Sequence, residues 1–205
     1  MKGAAVRSRL LMLRRQLTAA TTGHDLLERK LEVLLRETLR RAARRDRQRA
    51  RAATRLAVAR QRLADACTDA GRRALGAAAL AQPETASLER RDRRLVGVTV
   101  PSLRGRFERF TPCYGPASTT ASMDAAGAAF ADTLPVLVRL AEQEMATAAL
   151  TRALARTVRR LNALEKIVIP TLRREIYTVT DALEEEERDE SVRRRHHMTR
   201  LRGRR

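Results

Sequence analysis

The chain has 205 residues, 33% of them charged and 2% aromatic, with no tryptophan, so it is poor in the large rings that usually fill a compact globule. Its formal net charge is +19, carried by arginine almost alone, since Lys2, Lys30 and Lys166 are the three lysines. This composition argues against a ring-filled globule and for long helices that bury narrow stripes; the charge suits an acidic or polyanionic partner, but the arginine bias equally fits a GC-rich genome, so charge alone decides nothing.

The first predicted element is a long helix over residues 1–80. Val6, Leu10, Leu13, Leu17, Ala20, His24, Leu27, Leu31 and Leu34 recur at alternating intervals of four and three, the heptad seam of a coiled coil. No proline interrupts before Pro83, so the pattern runs past Leu56 and Leu63 toward Leu75. About sixty helical residues would make a rod on the order of 90 Å at ~1.5 Å per residue. Gly23 lies inside the seam at a cost of about 1 kcal/mol relative to alanine. Gly71 and Gly76 loosen the helix before Gln82-Pro83. His24 is the polar member of the seam, a kind of position that fixes register.

Residues 81–121 read as a cap. Pro83, Pro101, Pro112 and Pro116 fall here with Gly97, Gly105 and Gly115. Leu95-Val96-Gly97-Val98-Thr99-Val100 is short and β-branched, and reads as a strand ended by Pro101. Leu103 through Tyr114 is its expected return in a small β-hairpin. Phe107, Phe110 and Tyr114 place three of the five aromatics in this region.

Residues 122–205 predict the second long helix, opening around Ser122, with Pro135 as a kink or a late N-terminal position. Leu150, Leu154, Leu161, Leu164, Val168, Leu172, Ile176, Val179 and Leu183 form its apolar stripe. The 22 residues from Leu161 to Leu183 span six steps, the eleven-residue period that favours straight or slightly right-handed packing. Pro170 predicts a kink, costing about 3 kcal/mol in a helix interior. Glu184 with Arg188 and Asp189 with Arg193 are favourable i,i+4 pairs, and Arg193 to Arg205 reads as a frayed basic tail. Two rods separated by a cap must fold back antiparallel. The expected fold is therefore mainly α: a long antiparallel two-helix coiled coil of N- and C-terminal helices with a small β-hairpin cap, in one elongated domain.

Sites of bond chemistry are not legible in the chain. It carries no P-loop, HExxH or nucleophile elbow. Cys67 and Cys113 lack CxxC spacing, and neither they nor His196-His197 has the companions of a metal site, so no catalytic, cofactor or metal residue is expected. No run approaches the ~20 apolar residues of a membrane span, and the N-terminus lacks the apolar core of a secretory signal. From Arg36 to Arg62 eleven arginines face two acids, Glu37 and Asp46. Neighbours such as Arg36/Arg40 and Arg40/Arg44 repel at i,i+4. A solvated face or an acidic partner explains that stretch; nucleic acid is disfavoured, because no groove-reading motif or stacking aromatic lies among the arginines.

Arg7 to Leu17, Gly23 to Lys30, Gly97 to Pro101, Arg159 to Glu165 with Ile169-Pro170, and Glu184 to Arg188 resemble, in that order, blocks of the D subunit of V-type (V/A-type) ATPases and ATP synthases, the central rotor-stalk subunit. Arg7-Ser8-Arg9-Leu10-Leu11-Met12-Leu13-Arg14-Arg15-Gln16-Leu17 is similar to that family's leucine-and-basic opening. Gly23-His24-Asp25-Leu26-Leu27-Glu28-Arg29-Lys30 is similar to its Gly-His-x-Leu-Leu-x-x-Lys element. Gly97-Val98-Thr99-Val100-Pro101 resembles its Gly-Val-x-x-Pro. Arg159-Arg160-Leu161-Asn162-Ala163-Leu164-Glu165 with Ile169-Pro170 resembles its C-terminal helix, and Glu184 to Arg188 its acidic-to-basic tail. The chain departs from the family in a missing Pro-Thr pair near the N-terminus, in the arginine-rich stretch 36–62, and in residues 72–94.

The resemblance implies a non-catalytic shaft that transmits torque in a proton- or sodium-translocating complex, cytoplasmic and peripheral to the membrane. Its implied partners are the catalytic A and B subunits, the F subunit and the central-stalk subunit above the proteolipid ring. Arg159, Arg160, Asn162, Glu165, Pro170, Gly97 and Pro101 are the candidate partner or coupling residues. The alternative reading is a basic coiled-coil scaffold or nucleic-acid-associated protein, which would bind DNA with a steep salt dependence and would not copurify with ATPase subunits.

Overall fold

The computed structural model describes residues 2–84, 86–115 and 119–202, with side chains from 6 to 196 within those ranges. Pro116, the tail residues Gly203 to Arg205 and the side chain of His197 lie outside the described residues. The elements are α1 (Lys2–Ala81), β1 (Ala86–Leu95), β2 (Val98–Phe107), α2 (Ala121–Ala163), a π turn (Leu164–Val168) and α3 (Ile169–Arg202). The fold is mainly helical: the N-terminal helix packs with the C-terminal helical segments, and one small antiparallel hairpin lies between them in sequence. The chain divides into two compact units, Met1–Glu32 with Ala155–Arg205, and Val33–Leu154.

In the first unit the predicted seam is the buried side of α1. Leu13 is 3% exposed. Val6, Leu10, Leu17, Ala20, His24, Leu27 and Leu31 are all half-buried, while Leu11, Met12 and Leu26, off the seam, are exposed. Leu183 is the buried residue of α3, and Arg7 of α1 meets Glu187 of α3 at 3.0 Å. The i,i+4 pairs Glu184–Arg188 and Asp189–Arg193 form at 3.6 and 3.8 Å, joined by Glu190–Arg194 at 3.1 Å. All are exposed, so each adds little. The tail expected to fray from Arg193 is helical as far as Arg202, which these pairs near its start favour.

In the second unit the helices meet through small residues. Ala52, Ala59 and Ala66 are buried on α1 at steps of seven, and Ala126, Ala146, Ala149 and Ala153 on α2. Short side chains let the two backbones approach closely. Along α1, Leu34 packs with Leu150 and Ala153, Arg49 pairs with Glu144, and Ala66 packs with Met123 and Ala126. The partner numbers fall as α1 advances, so the helices are antiparallel. Thr133 and Thr147 are buried on α2, each hydroxyl donating to the carbonyl four residues back at 2.7 Å, which satisfies a polar group that would otherwise be costly. Pro135 lies well inside α2, which corrects the alternative of a late N-terminal position; the helix opens at Ala121, where the Met123 N–H donates to the Thr120 carbonyl.

The hairpin differs from the sequence expectation. Leu95 to Val100 is not one strand: Val96 and Gly97 form a two-residue turn with φ of 51° and 72°, and Leu95 pairs with Val98. Positive φ at both central residues is the turn whose twist matches paired strands. Gly97 takes it freely, whereas Val96 is strained. The earlier stretch Ala86 to Arg94, too charged to read as a strand, is most of β1, and the return ends at Phe107 rather than Tyr114. Pro101 lies within β2, opposite Asp92, instead of ending a strand. Counting back from the turn, hydrogen-bonded and non-hydrogen-bonded pairs alternate, which leaves Pro101 at a non-bonded pair where its missing N–H costs nothing. Val98 and Val100 face inward, at 8% and 4% exposure, against Leu34, Ala146 and Leu150. β1 is exposed except at Leu95, and its row of charges suits an open edge that should not recruit another strand.

The end of α1 and the cap loop close the second unit. Gly71, with φ 78° and ψ 156°, breaks α1; that region belongs essentially to glycine. Beyond it Leu75 and Ala78 join Ala66, Met123, Ala126 and Tyr114 in a second apolar cluster. Phe110 lies flush on Gly127, where any Cβ would collide with its ring.

Candidate functional site

The stretch singled out in the sequence forms one irregular, exposed surface in the first unit. Residues 164–168 make a π turn, closed by the Ile169 N–H donating to the Leu164 carbonyl five residues back. The cause is Pro170. It has no N–H, and in a regular α-helix its ring would press on the Lys166 carbonyl. Widening the preceding turn by one residue relieves that clash, and such insertions recur at functional positions. Where the sequence predicted a kink at Pro170, the structure places a π turn just before the proline.

The insertion also corrects the predicted stripe. Val168 is 38% exposed, and Ile169 takes the half-buried position instead. The inward series is then Leu161, Leu164, Ile169, Leu172, Ile176, Val179 and Leu183, with steps of three, five, three, four, three and four. The mean that resembled an eleven-residue period is a heptad pattern carrying a single extra residue.

Arg159, Arg160, Asn162, Glu165, Lys166 and Ile167 are all exposed, Ile167 at 65%. None of the polar side chains among them forms an ion pair or hydrogen bond with the described residues. Pro170 is half-buried behind them. The surface thus presents two guanidinium groups, an amide, a carboxylate, an ammonium group and one aliphatic side chain, and its polar groups are not paired with other described residues. Such a mixture suits contact with another protein, where apolar centre and polar rim work together. It offers no paired acid and base or nucleophile with a base for bond chemistry. Gly97, exposed at the hairpin turn, and Pro101, half-buried in β2, belong to the second unit.

Two further features escaped the sequence reading. Tyr177 on α3 is 74% exposed, a ring left in solvent where the stripe alone gave no warning. In the second unit an open apolar cleft of 490 Å³ is lined by Leu63, Leu75, Phe110, Tyr114, Met123 and Leu134. The clustering of aromatics in the middle segment was its one legible signal. Beside it the Tyr114 hydroxyl donates to Asp124 at 2.6 Å. Burial, then this hydrogen bond and the carboxylate's charge, push Tyr114 up to about 12. His24, Asp25 and Glu28 are the one group of possible metal ligands among the described residues, their atoms within 4.8 Å. Both carboxylates are exposed, and His24 sits in the helix seam, a packing role that needs no ion. No helix among the described residues is long and apolar enough to cross a membrane.

Comparison with known proteins agrees with this geometry. The family model described as the D subunit of ATP synthase matches residues 9–197. The chain is 32% identical over 186 residues to the A-type ATP synthase D subunit of Methanosphaera stadtmanae, covering 89% of this chain and 87% of that one. It is 33% identical over 194 residues to the V-type ATP synthase D subunit of Thermotoga neapolitana, covering 94% and 95%. With the A-type ATP synthase D subunit of Thermococcus gammatolerans it shares 34% identity over 186 residues, 89% and 87% of the two chains. A match of this extent, on paired long helices joined through a hairpin, places the chain in the family of ATP synthase D subunits.

Proposed function

We propose that this chain is the central-stalk rotor subunit of a V/A-type proton- or sodium-translocating ATPase or ATP synthase. It transmits torque between the catalytic A/B hexamer and the membrane ring and performs no bond chemistry itself. The observation that carries the reading is the family match over residues 9–197, nearly the whole chain. In this reading segments 1–80, 81–121 and 122–205 are parts of one subunit at the cytoplasmic side of the membrane. The A and B subunits, the F subunit and the stalk subunit above the proteolipid ring are its partners.

The physical support lies in how the helices are built. Torque needs stiffness, and heptad seams of leucine and alanine give closely packed helix pairs without a large core. A rotor also needs asymmetry, since an axially symmetric rod could not hold three identical sites in different states. The π turn with its exposed Arg159, Arg160, Glu165, Lys166 and Ile167 is such an asymmetric feature; Asn162 and Pro170 complete the coupling surface, and Gly97 and Pro101 shape the hairpin for a separate contact.

The test is affinity purification of the tagged chain, then reconstitution with A, B and F partners. Copurification of these subunits and restored rotary coupling are expected, with Pro170→Ala lowering the coupling ratio or rate. Failure to recover A and B subunits would overturn the rotor reading. Wild-type coupling in Pro170→Ala would remove the role of Pro170 and its π turn while leaving the rotor assignment standing.

A further inference from the structure

On α1, within the second unit, Arg40, Arg44, Arg47, Arg51 and Arg55 follow one another at steps of four, three, four and four, and all are exposed. Val33 lies seven residues before this row; Val58 and Arg62 continue it at steps of three and four. The 29 residues from Val33 to Arg62 complete about eight turns at 3.6 residues each, so the row runs straight along one helix face. Val33 and Val58 are 43% and 50% exposed. A line of guanidinium groups is thus flanked by solvent-facing aliphatic side chains.

Among the described residues, no carboxylate forms an ion pair with this row. The two acids of the stretch serve arginines off the row: Glu37 binds Arg41 at 2.8 Å and Asp46 binds Arg45 at 2.8 Å. Glu144 of α2 is taken by Arg49 at 2.7 Å, again off the row. Asp132 shares a groove with Arg55 and Arg62 but forms no ion pair with either. Arg47 donates to its own helix, at the Ala43 carbonyl. Like charges at i,i+4 destabilise an isolated helix, so the row weakens the element that carries it unless carboxylates arrive from outside.

We propose that this arginine row is the docking face for an acidic helical segment of another protein, with carboxylates at three- and four-residue spacing and an aliphatic residue near each end. Planar guanidinium groups pair with carboxylates through two parallel hydrogen bonds, and rows of charge at this spacing meet along paired helices. Val33 and Val58 supply the apolar contacts that a phosphate backbone could not use. The absence of Phe, Tyr or Trp from α1 removes the stacking platforms of a single-strand binder. The row alone defines this docking face, which serves an acidic helix whether or not the chain carries torque.

The experiment titrates the full-length chain with a synthetic helical peptide bearing glutamates at this spacing between two terminal leucines, and separately with duplex DNA of equal charge. Arg44→Gln/Arg47→Gln/Arg51→Gln is compared with Arg9→Gln/Arg14→Gln/Arg15→Gln, which removes the same charge from exposed positions in the first unit. The row variant is expected to weaken peptide binding by about tenfold or more, the other by about twofold or less. Arg44→Lys/Arg47→Lys/Arg51→Lys keeps the charge and is expected to fall between them. Equal loss in both glutamine variants, no peptide binding, or tighter binding of the DNA with the same dependence on the row would each overturn the proposal.

Discussion

Tyr114 joins the cap loop to the start of α2 through its 2.6 Å hydrogen bond to Asp124, and the bond depends on its proton. Its value of about 12 stands above the ordinary 10, so the folded protein holds that proton more firmly than the unfolded chain does. The stabilisation is complete below pH 10 and is lost as pH rises through 12. Tyr114→Phe should therefore flatten the fall in stability across that window, which urea unfolding at a series of alkaline pH values would measure. A slope equal to the parent's would assign the alkaline loss to other groups. Nearby Gly127 owes its identity to contact, since the Phe110 ring occupies the space of a Cβ, and Gly71 owes its own to backbone angle, since its φ is 78° with nothing close by. The sequence flagged a loosening of the helix at Gly71 but not its backbone angle, and it gave no sign of the ring that lies on Gly127.

At the scale of elements, the π turn makes a specific demand on the C-terminal helix. Removing one exposed residue there would restore regular three-and-four spacing between Leu164 and the downstream seam, but would return Pro170 to a regular helix interior. Deletion of Lys166 alone should cost about 3 kcal/mol, the price of an interior proline. The same deletion combined with Pro170→Ala should recover that loss, as read by chemical denaturation. An equal cost with and without Pro170→Ala would show that the proline is not what holds the turn open. The sequence located this irregularity to within a few residues because proline's missing donor is a local fact. It could not identify a π turn, because the choice between a kink and an inserted residue depends on how the flanking seam keeps its inward phase. The hairpin was misread for a related reason. Val96-Gly97 looks like part of a β-branched run until Val98 and Val100 are seen buried against Leu34 and Leu150.

Over the whole molecule, a formal charge of +19 is spread on surfaces whose described ion pairs are mostly exposed. Exposed pairs contribute at most ~1 kcal/mol each, while the excess of arginines repels itself throughout. Raising salt from about 20 to 300 mM shortens the screening length and should raise the melting temperature by about 2–4 °C, taking a relief of ~1 kcal/mol. Thermal melts monitored by circular dichroism at both salts check this, and a lower melting temperature at high salt would mean the ion pairs outweigh the repulsion. The paired-helix fold with its central hairpin was legible at this scale, since a heptad seam, a proline-rich interruption and a second stripe leave few alternatives. The alanine contacts of the second unit were not, because alanine is too common in this chain to signal burial.

The amino-acid order by itself determined helix identity, the inward face of the first seam, the antiparallel return and the family, because each follows from local spacing or from short runs of matched residues. Tertiary packing alone decided which ring lies on Gly127, where the hairpin turns, how the helix widens before Pro170 and which arginines stand without a carboxylate among the described residues. Those outcomes depend on atoms far apart in the chain meeting in space, and no periodicity records them.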